Sequence, residues 1–149
     1  MYKLKVLAVM LLALAVMGGC GGGSSSGSSH EEEGVQAMNM KINGVPVSVE
    51  WEDNESVKAM REFLPLTVKM SMYGGFEQVG SLGRSLPRND KRITTKAGDI
   101  VLYSGNQIVV FYGSNTWAYT KLGRITNKSS AELSELLGKS DVTLTISAD

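Results

Sequence analysis

The sequence predicts a mainly β protein, a small closed or half-closed β-barrel with two short capping helices. Several stretches alternate apolar and polar residues, which is the period of a strand with one buried face. One hairpin, DIVLYSGNQIVVFYG, is apolar on both faces, so its strands must be central and buried. Helical periodicity is confined to two short stretches. These elements suit a barrel with helices over its ends, although periodicity alone also allows a sandwich.

Composition limits the classes of function. The 149 residues include 42% hydrophobic and 20% charged residues, which is ordinary for one folded domain and unlike a disordered or fibrous protein. The formal net charge is +0, so no overall field attracts nucleic acid or an acidic substrate. We therefore expect no nucleic-acid partner.

Residues 1–19 have the pattern of a secretory signal peptide. MYKLK is a short basic region, VLAVMLLALAV is an apolar stretch too short to span a bilayer comfortably, and MGGC ends the segment before Cys20. The pattern resembles a bacterial lipoprotein signal, in which that cysteine carries lipid such as palmitate. We expect a protein of the cell envelope, anchored to a membrane through Cys20 and facing out of the cytoplasm. An ordinary cleaved signal peptide is the alternative.

Residues 20–36 predict a Gly/Ser-rich and acidic tether, followed by a single domain over residues 37–149. GGGSSSGSSHEEEG cannot bury enough apolar surface to become ordered. The sole histidine, His30, lies in this tether, and the sole cysteine is Cys20. Ser-His and Cys-His nucleophile pairs are thereby excluded from the domain, and we expect neither a metal nor a cofactor.

The domain begins with a predicted hairpin. In MNMKINGVPVSVEW, Asn43-Gly44 is a strong two-residue turn signal between alternating strands. This turn would pair Ile42 with Val45, Met40 with Val47, and Met38 with Val49, with every apolar side chain on one face. Pro46 indicates that nothing pairs with the outer side of the second strand.

The remaining elements alternate between strand and helix patterns. Asp53 or Asn54 caps a helix that Pro65 stops, and LTVKMSM then alternates with Leu66, Val68, Met70 and Met72 facing inward. The two-faced hairpin turns at Gly105-Asn106, and WAYTKLGRIT is another strand. Ser129 and Glu132 form a capping box for a helix ending at Gly138, and DVTLTI closes the domain. The prediction totals about seven strands and two helices.

The glycine-rich stretch MYGGFEQVGSLG, from Met72 to Gly83, allows two interpretations. Glycine permits positive φ, so the stretch serves either as a bend in a barrel strand or as the lip of a ligand pocket. In the second case Phe76 stacks on a ligand and Glu77 or Gln78 hydrogen-bonds to it. Tyr73 is a further candidate contact.

Two other groups of residues are candidates for ligand binding. The loop GRSLPRNDKRITTK contains Arg84 and Arg88, whose guanidinium groups could bind carboxylate, phosphate or carbonyl oxygens, although a solvated loop explains it equally well. Tyr103 and Trp117 belong to an aromatic set near the second hairpin. That set is either core or, with Trp117 over a barrel opening, a lid above a groove.

Four stretches together resemble the bacterial cyclophilin-like domain family: KINGVPVSVEW, LTVKMSMYGGFEQVGSLG, LPRNDKRITTKAGDIVLYSGNQIVVFYGSNTWAYTKLG and DVTLTI. The resemblance covers about Met38 to Ser147 and implies the cyclophilin barrel. Cyclophilins proper are peptidyl-prolyl isomerases. Their reaction needs no covalent intermediate, because the enzyme only has to bind the twisted Xaa-Pro amide more tightly than the planar one. The isomerase signature, an FHR tripeptide followed by a phenylalanine-methionine-x-glutamine run, is missing, so no catalytic residue is assigned.

Three functions follow as alternatives. We expect a membrane-tethered module that binds a peptide or small ligand without turnover. The second alternative is a weak prolyl isomerase for exported proteins, with Arg84 or Arg88 as the polarising group. The third is an accessory module for a flavodoxin-like redox partner, since the family resembles domains found alongside such proteins. Fold alone does not decide between them.

Overall fold

A computed structural model describes residues 37–148, which form ten strands and two helices. The predicted signal peptide, Cys20 and the tether lie outside these residues. In chain order the elements are β1 (Met38–Ile42), β2 (Val45–Val47), β3 (Val49–Trp51), α1 (Glu55–Arg61), β4 (Leu66–Tyr73), β5 (Glu77–Ser81), β6 (Lys91–Thr94), β7 (Asp99–Tyr103), β8 (Gln107–Phe111), β9 (Thr116–Ile125), α2 (Ser130–Leu137) and β10 (Val142–Ala148). In this part of the chain no helix is long and apolar enough to cross a bilayer.

One antiparallel sheet curls into a nearly closed barrel. Its strands run β2-β1-β10-β4-β5-β8-β7-β9-β3, and β6 pairs with β9 off this path. The two ends of the path, β2 and β3, are separated in the chain only by Ser48. Ser48 is held by Asn127, whose Oδ1 accepts from its amide at 2.9 Å, and by the amide of Thr126, which donates to its carbonyl oxygen at 2.9 Å. The predicted mainly β, half-closed barrel with two short helices is confirmed.

The first hairpin follows the predicted register only as far as Ser48. Asn43 and Gly44 have φ of 51° and 81°, and Ile42 pairs with Val45 and Met40 with Val47 as expected. Val49, however, pairs with Ile125 of β9 rather than with Met38. The prediction of one continuous strand is wrong here. The chain leaves the sheet edge formed by β2 at Ser48 and continues as β3 at the opposite edge, beside β9.

Both helices begin at the predicted caps. Asn54 Oδ1 accepts from the amide of Val57 at 2.9 Å, and Ser129 and Glu132 form the reciprocal capping box. Each helix buries apolar residues in the barrel interior: Val57 and Met60 from α1, and Leu133 and Leu137 from α2. The helices thereby cover apolar surface that the curled sheet alone would leave open.

The hairpin of β7 and β8 divides two hydrophobic clusters. On one face Ile100, Leu102, Ile108 and Val110 join the barrel interior, and on the other Val101, Val109, Phe111 and Tyr119 form an outer cluster. The prediction of central strands buried on both faces is confirmed.

Four local expectations differ from the structure. Glu77–Ser81, for which no separate strand was predicted, is strand β5 and lies between β4 and β8, and Lys91–Thr94, expected to be part of a loop, is strand β6. Met72 was expected to face inward but is 37% exposed, because β10 pairs with β4 only as far as Met70 and leaves Met72 uncovered. Val45 is also 37% exposed, at the outer edge of the barrel sheet.

Candidate functional site

A cavity of about 600 Å³ lies against the outer face of the sheet. Strand register places two of its lining residues side by side, because Tyr73 of β4 opposes Glu77 of β5. On its other side Glu77 opposes Phe111 of β8, which belongs to the outer cluster. Beyond them, Tyr103 of β7 lies in contact with the aromatic ring of Tyr119 on β9. We call this cavity the outer-face pocket. It brings together four of the predicted ligand-binding residues, Tyr73, Glu77, Tyr103 and Trp117.

The glycine-rich stretch begins with a hairpin turn, residues 74–76, beside this pocket. Gly74 and Gly75 have φ of 66° and 73° and connect β4 to β5. A Cβ atom on Gly74 would overlap the ring of Phe76, which folds back over the turn. Glycine is therefore required by the backbone, while the strand residues on either side of the turn, Tyr73 and Glu77, line the pocket. Gly74 and Gly75 thus form a bend, and Tyr73 and Glu77 beside it line the pocket, whereas Phe76 and Gln78 do not.

Glu77 is the one residue among those lining the pocket that carries a carboxyl group. Its side chain is buried, with 6% of the residue exposed, and its Oε1 atom has no hydrogen-bond partner among the described residues. Burial raises the pKa of the Glu77 carboxyl from 4.5 to about 7, because the charged form loses hydration that nothing in the pocket replaces. A buried polar atom without a partner is uncommon in folded proteins and often marks a functional position.

Tyr119 is held rigidly on the opposite side of the pocket. Its ring packs edge-on against Phe111, with centroids 5.6 Å apart, and against Tyr103 at 6.1 Å. Its hydroxyl oxygen accepts a hydrogen bond from Asn115 Nδ2 at 2.8 Å, which leaves the hydroxyl proton for another partner. Asn115 is fixed in turn by Thr95, whose buried Oγ1 donates to the carbonyl oxygen of Asn115 and accepts from its amide, both at 3.0 Å. Burial, the largest influence, raises the pKa of Tyr119, so the phenol is neutral at physiological pH.

Two predicted candidates on β5 and its turn lie away from the cavity. Gln78 points to the opposite face of the sheet from Glu77, where its Nε2 donates to the carbonyl oxygens of Leu137 at 2.7 Å and Ser140 at 2.8 Å. It therefore anchors the C-terminal end of α2 to the barrel. Phe76 stacks on Phe111, with nearly parallel rings whose centroids are 6.4 Å apart, in the outer hydrophobic cluster.

The two arginine candidates lie outside the outer-face pocket. The guanidinium carbon of Arg84 lies 3.9 Å from the ring centroid of Phe63, beyond α1. Arg88 is half exposed, with its Nε 3.6 Å from Asp90 Oδ2, and lines a second cavity beside α1. Neither arginine is among the residues that line the outer-face pocket, although Tyr119 lines both cavities.

Sequence reasoning did not select several residues that complete the pocket. Tyr119 stands two residues after Trp117 on β9, so strand periodicity places both on one face. No sequence signal marks Ser71, Gln107 or Asn115, which reach the cavity from three separate parts of the chain.

Chemically, the pocket combines aromatic surface with one carboxyl group. Tyr73 and Trp117 are 67% and 50% exposed, so their rings are open to a ligand. Aromatic rings offer apolar contact and a negative electrostatic face, and Glu77 offers either an acceptor or, when protonated, a donor. The geometry suits recognition of a small group or a side chain inserted between the rings.

Comparisons with known proteins agree with this architecture. The model of the cyclophilin-like family matches residues 40–147. The solution structure of a hypothetical protein from Archaeoglobus fulgidus is similar in fold, with a TM-score of 0.60 at 18% sequence identity, covering 78% of this chain and 97% of that chain. No curated protein matches the sequence. Because the family model spans well over half of the chain, this protein belongs to the cyclophilin-like family.

Proposed function

We propose that this domain is a binding module that holds a peptide side chain or a small ligand in the outer-face pocket. The observation that carries the proposal is the cavity itself, which combines exposed aromatic rings with a buried, unpartnered carboxyl group. Its volume of about 600 Å³ lies within the range typical of ligand sites, roughly 300–1,000 Å³. Five strands (β4, β5, β7, β8 and β9) contribute residues to the pocket, and the Thr95–Asn115 hydrogen bonds hold Asn115 in place beside them.

The same geometry favours binding over proline isomerisation. Catalysis of that rotation requires donors that stabilise the twisted amide more than the planar one. The alternative assigned this role to Arg84 or Arg88, and both are engaged elsewhere, on Phe63 and Asp90. A ligand in the outer-face pocket would be held by the aromatic residues and Glu77.

The experiment is ligand mapping by NMR on residues 37–149, whose described part contains every strand pairing and both hydrophobic clusters. We expect a panel of short peptides and small organic molecules to yield ligands with saturable shifts at the pocket residues. Trp117→Ala should weaken binding at least tenfold, whereas Val45→Ala, an exposed apolar residue on β2, should leave it unchanged. Shifts centred on the Arg88 cavity would contradict the proposal, and accelerated exchange of Xaa-Pro bonds in the same samples would favour the isomerase.

We further propose that the domain is anchored to a membrane outside the cytoplasm through lipid on Cys20. The signal-like residues 1–19 and the Gly/Ser-rich segment after Cys20 support this proposal. The test is fractionation with mass spectrometry of the N-terminal peptide: the native chain should remain with membranes and carry acyl mass, and Cys20→Ser should lose both. A native chain released without acyl mass would contradict the anchor and indicate an ordinary signal peptide.

A further inference from the structure

We propose that the outer-face pocket selects a cationic group, an ammonium or guanidinium, presented by a lysine or arginine side chain of a peptide or by a small amine. This inference rests on the proposed binding function and names the class of ligand. It is carried by a buried carboxyl group that has no cationic side chain beside it in the pocket and that shares the pocket with the exposed rings of Tyr73 and Trp117.

The charge balance of the pocket is the first step. Glu77 is 6% exposed and its Oε1 has no partner, yet no lysine or arginine is among the described residues that line this cavity. Buried carboxylates in folded proteins are normally paired or hydrogen-bonded, because burying an uncompensated charge is unfavourable. A cationic ligand would supply the missing partner.

The aromatic walls are the second step. Tyr73 and Trp117 expose 67% and 50% of their surface beside Glu77, while Tyr103 and Tyr119 form a fixed edge-to-face pair behind them. A cation within about 6 Å of an aromatic ring is attracted to its negative face, and Trp and Tyr bind cations more strongly than Phe. These aromatic rings and the Glu77 carboxylate together could replace the water that a cation loses when it enters the pocket.

The titration of the pocket is the third step. The groups that face Glu77 from β4, β7 and β9 are the phenols Tyr73, Tyr103 and Tyr119, and Gln107 and Asn115 complete the polar lining. Among the residues that line the pocket, Glu77 alone carries a carboxyl group, so its ionisation gives the pocket a negative charge. Because burial raises the pKa of Glu77 to about 7, the empty pocket is partly protonated at neutral pH, and a cation would expel that proton. Binding should therefore weaken as pH falls.

The experiment compares three probes that differ at the side-chain end: the N-acetyl amides of lysine, arginine and the uncharged norleucine, titrated by NMR into residues 37–149. At pH 8 we expect the lysine or arginine probe to bind at least tenfold more tightly than norleucine, with shifts at the pocket residues. Between pH 8 and pH 6 its affinity should fall about tenfold, the change in the ionised fraction of a carboxyl with a pKa of about 7.

Matched variants provide the control. Glu77→Gln should abolish both the preference for a cation and the pH dependence, and it keeps the shape of a protonated glutamate. Glu50→Gln removes the same charge from an exposed position on β3 and should change neither. The pH dependence of the unmodified chain's affinity for the lysine or arginine probe tests the inference even if Glu77→Gln fails to fold.

The outcomes separate this inference from the proposed function. If norleucine binds in the pocket as tightly as lysine and arginine, or if affinity for the cations is independent of pH, the pocket is a site for apolar or neutral groups and the inference is overturned while the binding module stands. If the three probes and the wider panel all leave the pocket resonances unmoved, both are overturned.

Discussion

Replacing Glu77 by glutamine should make the protein more stable at pH 8 and leave its stability unchanged at pH 4. The pKa of Glu77 is raised from 4.5 to about 7 by burial, so the folded state holds a proton that the unfolded chain has already released between these pH values. The stabilisation from the protonated carboxyl is therefore fully present below pH 4.5 and is lost as pH rises through about 7.

The magnitude follows from the size of this change in pKa. At about 1.4 kcal/mol per pH unit, a rise from 4.5 to about 7 makes the ionised carboxylate about 3 kcal/mol less stable in the folded state than in water. Glutamine cannot ionise, so the Glu77→Gln variant avoids this penalty. The difference in unfolding free energy between the variant and the unmodified chain should grow by about 3 kcal/mol between pH 4 and pH 8.

The assay is urea denaturation of both proteins at pH values about half a unit apart. The dependence of unfolding free energy on urea concentration should be the same for both proteins, which shows that they expose the same surface on unfolding and differ only in stability. Taking the difference removes the contributions of all other acidic groups. Glu50→Gln, on the exposed face of β3, serves as the control and should show a difference that changes little with pH. A flat difference curve for Glu77→Gln would refute the argument, because it would mean that water or a partner compensates the buried carboxylate.

Two further predictions concern the turn and the strand beside it. In thermal unfolding, Gly74→Ala should destabilise the fold by more than Gly75→Ala. The positive φ of each glycine makes alanine unfavourable by about 1 kcal/mol, but only a Cβ at position 74 would also collide with the ring of Phe76. Equal losses of stability would show that this ring moves aside freely. Gln78→Leu should lower the unfolding free energy by about 1–3 kcal/mol, because the carbonyl oxygens of Leu137, at the end of α2, and of Ser140, which follows it, lose their donor. Hydrogen exchange should report the loss as faster exchange in α2, and a change confined to the outer-face pocket would contradict this role.

The parts of the fold that sequence alone predicted are those governed by neighbouring residues. The Asn43-Gly44 turn, the helix caps at Asn54 and Ser129, and the alternation of the two-faced hairpin depend on local backbone preferences, and each is found where the pattern placed it. The strand β5 escaped detection because its first two residues are polar. Glu77 and Gln78 are both buried, one beneath the aromatic rings and one against α2, and neither environment is visible in the local sequence.

The sequence by itself therefore determined the class of fold and most strand and helix positions, since alternation and capping act over a few residues. Tertiary structure alone decided the membership of the site. Curling of the sheet brings Tyr73, Glu77, Tyr103 and Trp117 onto one outer surface, although strands from distant parts of the chain supply them. The same curling leaves Arg84 elsewhere, packed on Phe63. The physical reason is that strand order and register, set by the burial of both faces of β7 and β8, determine which side chains meet across the sheet.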